Sequence, residues 1–134
     1  MPLRINITCP ADPEAIACVV EGLVALNACM MTAARKAGRS APLLYASGVR
    51  YKREPKGREQ WQSAAELLSS GEGDCEDLAA YRAAELRCEG ELAFVDIQPT
   101  NRGTYHAVVR RGNGQIEDPS RILLAMIDDH ETEV

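Results

Sequence analysis

The spacing of apolar residues changes at Gly90, and this change constrains the fold more than any other feature of the sequence. Before Gly90, apolar residues recur at helical spacing, most clearly at Leu78, Ala79, Ala83 and Leu86. After Gly90, short runs of β-favouring residues are separated by turn signals. We therefore expect an α+β fold in which helices pack on a small antiparallel sheet.

The helices are predicted from their end signals. Asp12 can cap a first helix that runs to about Lys36. Ser63 and Glu66 have the spacing of a capping box at the start of a second helix. A third helix is expected over residues 75–89, and a last, short helix over 122–127 precedes an acidic tail.

The strands are predicted from alternating or β-branched runs. We expect strands at residues 3–7, 92–97, 105–110 and 115–117, and a strand or a turn within 43–51. The sequence Gly112-Asn113-Gly114 is typical of a hairpin turn and would join the last two strands.

The length of 134 residues fits one domain, spanning residues 1–134. The net charge of −5 argues against nucleic acid as a partner, because phosphate binding needs an excess of Lys and Arg. A local basic patch is nevertheless present, and it forms either a solvated loop or a contact surface for an acidic substrate or partner: Arg50, Lys52, Arg53, Lys56 and Arg58.

The segment 15–34 is about long enough to span a bilayer, but Glu21, Asn27 and other residues interrupt its apolar run. We interpret it as a buried helix and expect neither a membrane partner nor a signal peptide. The five cysteines include no CxxC pair, so we expect free thiols rather than a zinc site or a disulfide framework.

Cys75 is the candidate nucleophile, because it follows a glycine-containing turn and opens the predicted helix 75–89. A helix N-terminus lowers the pKa of a thiol through its unpaired N–H groups and its dipole. The neighbouring carboxylates of Asp74, Glu76 and Asp77 raise that pKa. We therefore expect a base to hold the thiolate as an ion pair.

His106 is the candidate base. The other histidine, His130, lies in the acidic tail, where a solvated surface residue is expected. A strand histidine is in general more often a core or surface residue, but the predicted hairpin can bring Asp118 beside His106. A carboxylate there would hold the imidazole tautomer while the other ring nitrogen faces Cys75. The alternative role of Asp118 is to start a turn before Pro119.

These residues belong to a longer pattern. Trp61 and Glu66 precede the run Gly-Glu-Gly-Asp-Cys-Glu-Asp-Leu-Ala at 71–79, and Tyr-His-Ala-Val-Val at 105–109 and Glu-Asp-Pro at 117–119 follow it. Over about residues 60–121 the chain resembles the bacterial transglutaminase-like cysteine proteinases. The resemblance implies a papain/transglutaminase-like core with the nucleophile at a helix N-terminus. It also implies that Cys75, His106 and Asp118 are a catalytic triad, without a required cofactor.

The resemblance suggests two further features of the site. Calcium would bind the acidic residues that flank the cysteine, which are Asp74, Glu76 and Asp77; these carboxylates could equally cap the helix. Oxyanion stabilisation would use the Cys75 backbone N–H together with the Trp61 indole or the Gln62 amide, although Trp61 could instead anchor the core.

The expected function is a cysteine peptidase or amidase that cleaves a peptide or isopeptide bond of a protein or peptide substrate through a thioester. Transamidation by the same triad and a catalytically inert binding module on the same fold are the alternatives. Without a visible signal peptide, a cytoplasmic or virus-encoded enzyme is expected.

Overall fold

The computed structural model describes residues 12–53, 60–101 and 104–132. Four α-helices and two small sheets confirm the α+β class. In chain order the elements are α1 (Pro13–Lys36), a 3-10 turn (Leu44–Ala46), β1 (Arg50–Tyr51), α2 (Ala64–Ser70), β2 (Glu72–Gly73), α3 (Cys75–Cys88), β3 (Phe94–Pro99), β4 (Tyr105–Arg110), β5 (Ile116–Glu117) and α4 (Pro119–Thr132). The predicted strand at 3–7 lies outside the described residues, as do Cys9, Lys56 and Arg58.

Helix α1 begins as predicted, with the Asp12 carboxylate accepting a hydrogen bond from the Ala15 backbone N–H at 2.9 Å. The helix is long and apolar enough to cross a membrane by length and composition alone. It packs against α3 and β3 through one face, whose buried residues are Ile16, Val20, Val24, Asn27 and Met31. The prediction of a buried helix therefore holds for one face, while Cys18 and Cys29 are exposed.

Helix α3 is the centre of the fold. It is buried on nearly all sides, including the charged residues Glu76, Asp77 and Glu85. Its apolar residues share one core cluster with residues of α1, α2 and the three-stranded sheet. The apolar residues at helical spacing that predicted α3 are therefore only part of its buried surface, which extends around the helix.

The three-stranded sheet has the order β3-β4-β5 and is antiparallel throughout. Strand β4 has the predicted bounds, and the hairpin turn leads into β5, in which Glu117 pairs with Val109. A second sheet was not predicted: β1 and β2 pair in parallel, with Tyr51 opposite Gly73. Each of these strands has only two residues, which is too short to show an alternating pattern.

Helix α4 differs from its prediction in both bounds. It begins at Pro119 and ends at Thr132, whereas a short helix at 122–127 was expected. The physical reason is the N-terminal signal: the Asp118 carboxylate accepts a hydrogen bond from the Arg121 backbone N–H at 3.2 Å, and Pro119 occupies the first helical position.

Candidate active site

The glycines before Cys75 shape the loop that delivers it to α3. Gly71 ends α2 in the left-handed conformation, with φ of 78°, which favours glycine. Gly73 allows a close approach, since a Cβ there would lie 2.5 Å from Leu67 Cδ1 and 3.0 Å from Asp77 Cβ. Both glycines therefore have structural roles.

Asp74 and Asp77 cap α3 reciprocally. The Asp77 backbone N–H donates to Asp74 Oδ1 at 3.0 Å, and the Asp74 backbone N–H donates to Asp77 Oδ2 at 3.2 Å. Asp77 also accepts a hydrogen bond from the Gln62 backbone N–H at 2.7 Å. This capping box satisfies N–H groups that a helix N-terminus otherwise leaves unpaired, and it attaches the 60–63 segment to α3.

The three carboxylates that were the candidate calcium ligands have other partners in the structure. Asp77 is fully buried and both of its oxygens accept N–H donors, while Asp74 is committed to the cap. Glu76 contacts the thiol of Cys75 instead. A calcium site needs several oxygens free to face one ion, and the described residues contain no group of three or more suitable side chains. Helix capping is observed for Asp74 and Asp77, while calcium binding stays a prediction.

Cys75 is the first residue of α3 and is only 8% exposed. Its thiol donates a hydrogen bond to Glu76 Oε2 at 3.2 Å. Burial raises the pKa of the Cys75 thiol, and the negative charge of Glu76 raises it further. The backbone N–H of Ala107 faces the sulfur and has the opposite effect on the pKa. Burial and the charge of Glu76 therefore favour the neutral thiol over the thiolate of the expected ion pair.

Glu76 is itself perturbed. Burial, and then the charge of Asp74, raise its pKa to about 7 from an ordinary value of 4.5. Two carboxyls and a thiol are therefore packed together at the start of α3, and the charges of the carboxyls oppose ionisation of the Cys75 thiol.

His106 and Asp118 meet as the hairpin predicts. Because Val109 pairs with Glu117, Asp118 follows next to Val108, on the same face of β4 as His106. His106 Nε2 and Asp118 Oδ2 are 2.7 Å apart. Asp118 Oδ2 contacts the ring while Oδ1 caps α4, so Asp118 begins a helix where the alternative role was to start a turn, and it lies beside His106 as the hairpin predicts.

The two halves of the site are joined through β4. Ala107, whose N–H faces the Cys75 sulfur, directly follows His106 in the strand. Within the described ranges the imidazole hydrogen-bonds to Asp118 and not to Cys75. The other ring nitrogen, Nδ1, forms no hydrogen bond among the described residues.

Helix α3 also contacts the strand residue that precedes Asp118. Arg82 of α3 donates from Nε to Glu117 Oε2 at 2.6 Å, and from Nη1 to Glu85 Oε2 at 2.9 Å. Glu117 immediately precedes Asp118. One helix therefore carries Cys75 at its start and, two turns later, the arginine that anchors the strand leading to Asp118.

The oxyanion candidates differ in their surroundings. The Gln62 side-chain amide donates to the Glu72 carbonyl at 2.8 Å and to Asp77 Oδ2 at 3.3 Å, so both of its hydrogens are used. Trp61 Nε1 is buried and has no hydrogen-bond partner among the described residues. The Gln62 side chain therefore supports Asp77, whereas the indole N–H of the adjacent Trp61 is available to donate a hydrogen bond.

Tyr51 is a site residue that the sequence did not indicate. It is half-buried on β1 opposite Gly73. Burial raises the pKa of Tyr51, and a negative charge on Cys75 acts in the same direction. No local pattern reveals this position, because it depends on the parallel pairing of β1 with β2.

No protein-family model, curated protein or solved structure matches the chain. The interpretation of the site therefore depends on its own geometry.

Proposed function

We propose that the chain is a cysteine hydrolase of the papain/transglutaminase-like type, acting on a peptide or isopeptide bond. Cys75 is the nucleophile, His106 is the general base and then the general acid, and Asp118 orients the imidazole. The observation that carries the proposal is the 2.7 Å contact of His106 Nε2 with Asp118 Oδ2, on the strand whose next N–H faces the Cys75 sulfur.

Acylation starts from the neutral thiol. His106 Nδ1 accepts the thiol proton as the sulfur attacks the carbonyl carbon, so that a C–S bond forms while one electron pair moves to the carbonyl oxygen. The Cys75 backbone N–H at the start of α3 and the unpartnered Trp61 Nε1–H donate to that oxyanion. Asp118 stabilises the imidazolium that this step creates.

Deacylation completes the cycle. The oxyanion collapses, the C–N bond breaks, and the leaving amine takes its proton from His106. Water then attacks the thioester with His106 as base, releasing a carboxylic acid and restoring the thiol. An amine in place of water would give transamidation through the same steps, and the triad itself does not distinguish these acceptors.

A second candidate function is a binding module without catalysis. The hydrogen bond from the Cys75 thiol to Glu76 favours it, because this bond and the burial of the sulfur oppose ionisation. In such a module, the contact of His106 with Asp118 would serve only to fix the start of α4.

The test combines turnover with thiol chemistry. The protein and its Cys75→Ala and His106→Ala variants are incubated with a fluorescent casein and a labelled primary amine. We expect hydrolysis that is lost in both variants and exceeds amine incorporation. More incorporation than hydrolysis would indicate a transferase. Absence of both reactions, with a Cys75 alkylation pH profile that His106→Ala leaves unchanged, would favour the inert module.

A further inference from the structure

The outer face of the three-stranded sheet carries His106 and a neighbour on strand β3. The inner face of these strands belongs to the buried core, through Val95, Ile97, Ala107 and Val109. Alternation therefore places the even-numbered residues of β3 and β4 on the outer face. Gln98 and His106 are Cα partners in the register of the two strands. Directly opposite residues of an antiparallel pair project to the same face, with Cβ atoms about 4.5–5.5 Å apart, so the Gln98 side chain lies beside the imidazole.

Gln98 differs from the other polar side chains of that face in its partners. Arg110 donates from Nη2 to Asp96 Oδ2 at 2.7 Å, and His106 contacts Asp118. Gln98 is exposed, and its amide has no hydrogen-bond partner in the described part of the chain. A primary amide presents two donor hydrogens and one carbonyl acceptor. Both kinds of hydrogen bond are therefore offered next to the candidate base.

Cys75 and Gln98 lie on opposite sides of β4. The Thr100 backbone N–H donates to the carbonyl opposite it at 2.9 Å, which fixes the alternation of the backbone hydrogen bonds between β3 and β4. In that alternation Gln98 and His106 are a hydrogen-bonded pair, and the N–H of Ala107, one residue further on, points away from β3. This N–H faces the Cys75 sulfur. The order across the sheet is therefore Cys75, His106 and Gln98.

The proposed mechanism places the two parts of a substrate along this order. The acyl carbon bonds to the sulfur of Cys75, and the leaving nitrogen takes its proton from His106. The part of the substrate beyond the scissile bond therefore continues past the imidazole, away from the sulfur. Gln98 is the next side chain on that side.

We propose that Gln98 is a specificity-determining residue that hydrogen-bonds the leaving segment of the substrate, and that this segment is a peptide. The inference rests on the proposed hydrolase and names its leaving group. A peptide unit carries one N–H donor and one C=O acceptor, which complement the acceptor and the donors of the carboxamide. A small amine carries no peptide unit for Gln98 to bind, so the site favours cleavage within a polypeptide over release of a small amine.

The first experiment compares two leaving groups on one acyl segment. The bond that the protein cleaves in casein is located by mass spectrometry. Its sequence is then made as an internally quenched peptide, and its acyl segment as a coumarin amide. We expect Gln98→Ala to lower the ratio of kcat/KM for the peptide to kcat/KM for the coumarin amide about five- to tenfold, because the hydrogen bonds to the leaving segment are lost. Gln115→Ala, the same change opposite Arg111 and about 17 Å along the strand from His106, is the matched control and should keep the ratio.

The second experiment tests the placement of Gln98 with the coumarin amide alone. Gln98→Glu sets a carboxylate beside the imidazole and stabilises its protonated form. The acidic limb of the pH profile of kcat/KM should therefore move to higher pH by about half a unit. Gln115→Glu should not move it. The charged groups already on this face, Asp96, Arg110 and Asp118, are the same in both variants.

The outcomes separate the two proposals. A ratio that Gln98→Ala leaves unchanged, or an acidic limb that Gln98→Glu does not move, would overturn the inference while the hydrolase stands. Cleavage of casein no faster than by Cys75→Ala would instead overturn the hydrolase itself.

Discussion

The two halves of the candidate site have opposite characters. Cys75 is 8% exposed and surrounded by carboxyl groups at the start of α3. The side chains of His106 and Asp118 are 33% and 27% exposed, and they are already hydrogen-bonded to each other. The half that contains Cys75 opposes the negative charge on sulfur that the proposed reaction needs. The half that contains His106 and Asp118 is the one that accepts a proton in the proposed mechanism.

This difference bears on the order of events. A pre-formed thiolate–imidazolium pair would require the thiol to ionise easily, and its burial and Glu76 oppose this. In the proposed mechanism, proton transfer to His106 therefore accompanies attack on the substrate, as in serine enzymes.

The halves also have different origins: contiguous residues build the first, and residues twelve positions apart meet by sheet register to build the second.

The largest expected effect is on the half of the site that contains His106 and Asp118. Asp118→Asn should lower kcat/KM by about 10³-fold or more, because the amide cannot stabilise an imidazolium. Asn is as good a helix N-cap as Asp, so the melting temperature should change little. Asp118→Ala is the comparison variant, which should lose both activity and the cap of α4. Full activity in Asp118→Asn would remove Asp118 from the triad.

The next effect tests the first half. Glu76→Gln removes the negative charge beside the thiol, and should lower the pKa of Cys75 by about one unit, which raises the iodoacetamide rate at neutral pH about tenfold. Glu72→Gln, at an exposed carboxylate paired with Lys52, is the control and should have no effect. An unchanged rate in Glu76→Gln would mean that burial alone controls the thiol.

A smaller effect tests the loop that supports Cys75. Gly73→Ala places a Cβ against Leu67 and Asp77, and should cost about 1–3 kcal/mol of unfolding free energy in urea. Gly22→Ala, at a helical position with nothing within 4 Å, should instead stabilise the protein by about 0.5–1 kcal/mol. Equal effects of the two substitutions would contradict the close approach at Gly73.

The smallest effect is the pH dependence of stability. The pKa of Glu76 is about 7 in the folded protein against an ordinary 4.5, so between these values the folded state binds more protons than the unfolded state. Stability is therefore lost as pH rises through this window. Glu76→Gln removes the loss, and its unfolding free energy relative to the unmodified protein should rise by about 1 kcal/mol from pH 5 to pH 6. A constant difference would contradict the raised pKa.

Sequence signals between neighbouring residues predicted most of the structural features that they encode. The cap at Asp12, the Ser63–Glu66 capping box and the start of α3 at Cys75 all appear as expected. The predicted hairpin was enough to place Asp118 beside His106. Each of these features depends on residues close in sequence or on a single turn, which is why a sequence pattern can reveal it.

Other features depend on contacts that a pattern does not contain. The pairing of β1 with β2 joins segments about twenty residues apart through backbone bonds alone, so Tyr51 was missed. The choice of Glu76 over His106 as the partner of the thiol is a side-chain placement set by packing. Asp118-Pro119 repeats the Asp12-Pro13 signal and so indicates the start of α4. A residue before proline also favours an extended backbone, which is equally typical of the end of a strand.

The double use of Asp118 has a consequence for the comparison of related sequences. One oxygen caps α4 and the other contacts His106, so a lineage that lost catalysis would still retain this aspartate for folding. The same holds for Asp74 and Asp77, which cap α3. Invariance at these acids would report a shared architecture, whereas His106 and Cys75 varying together would mark the loss of an active enzyme.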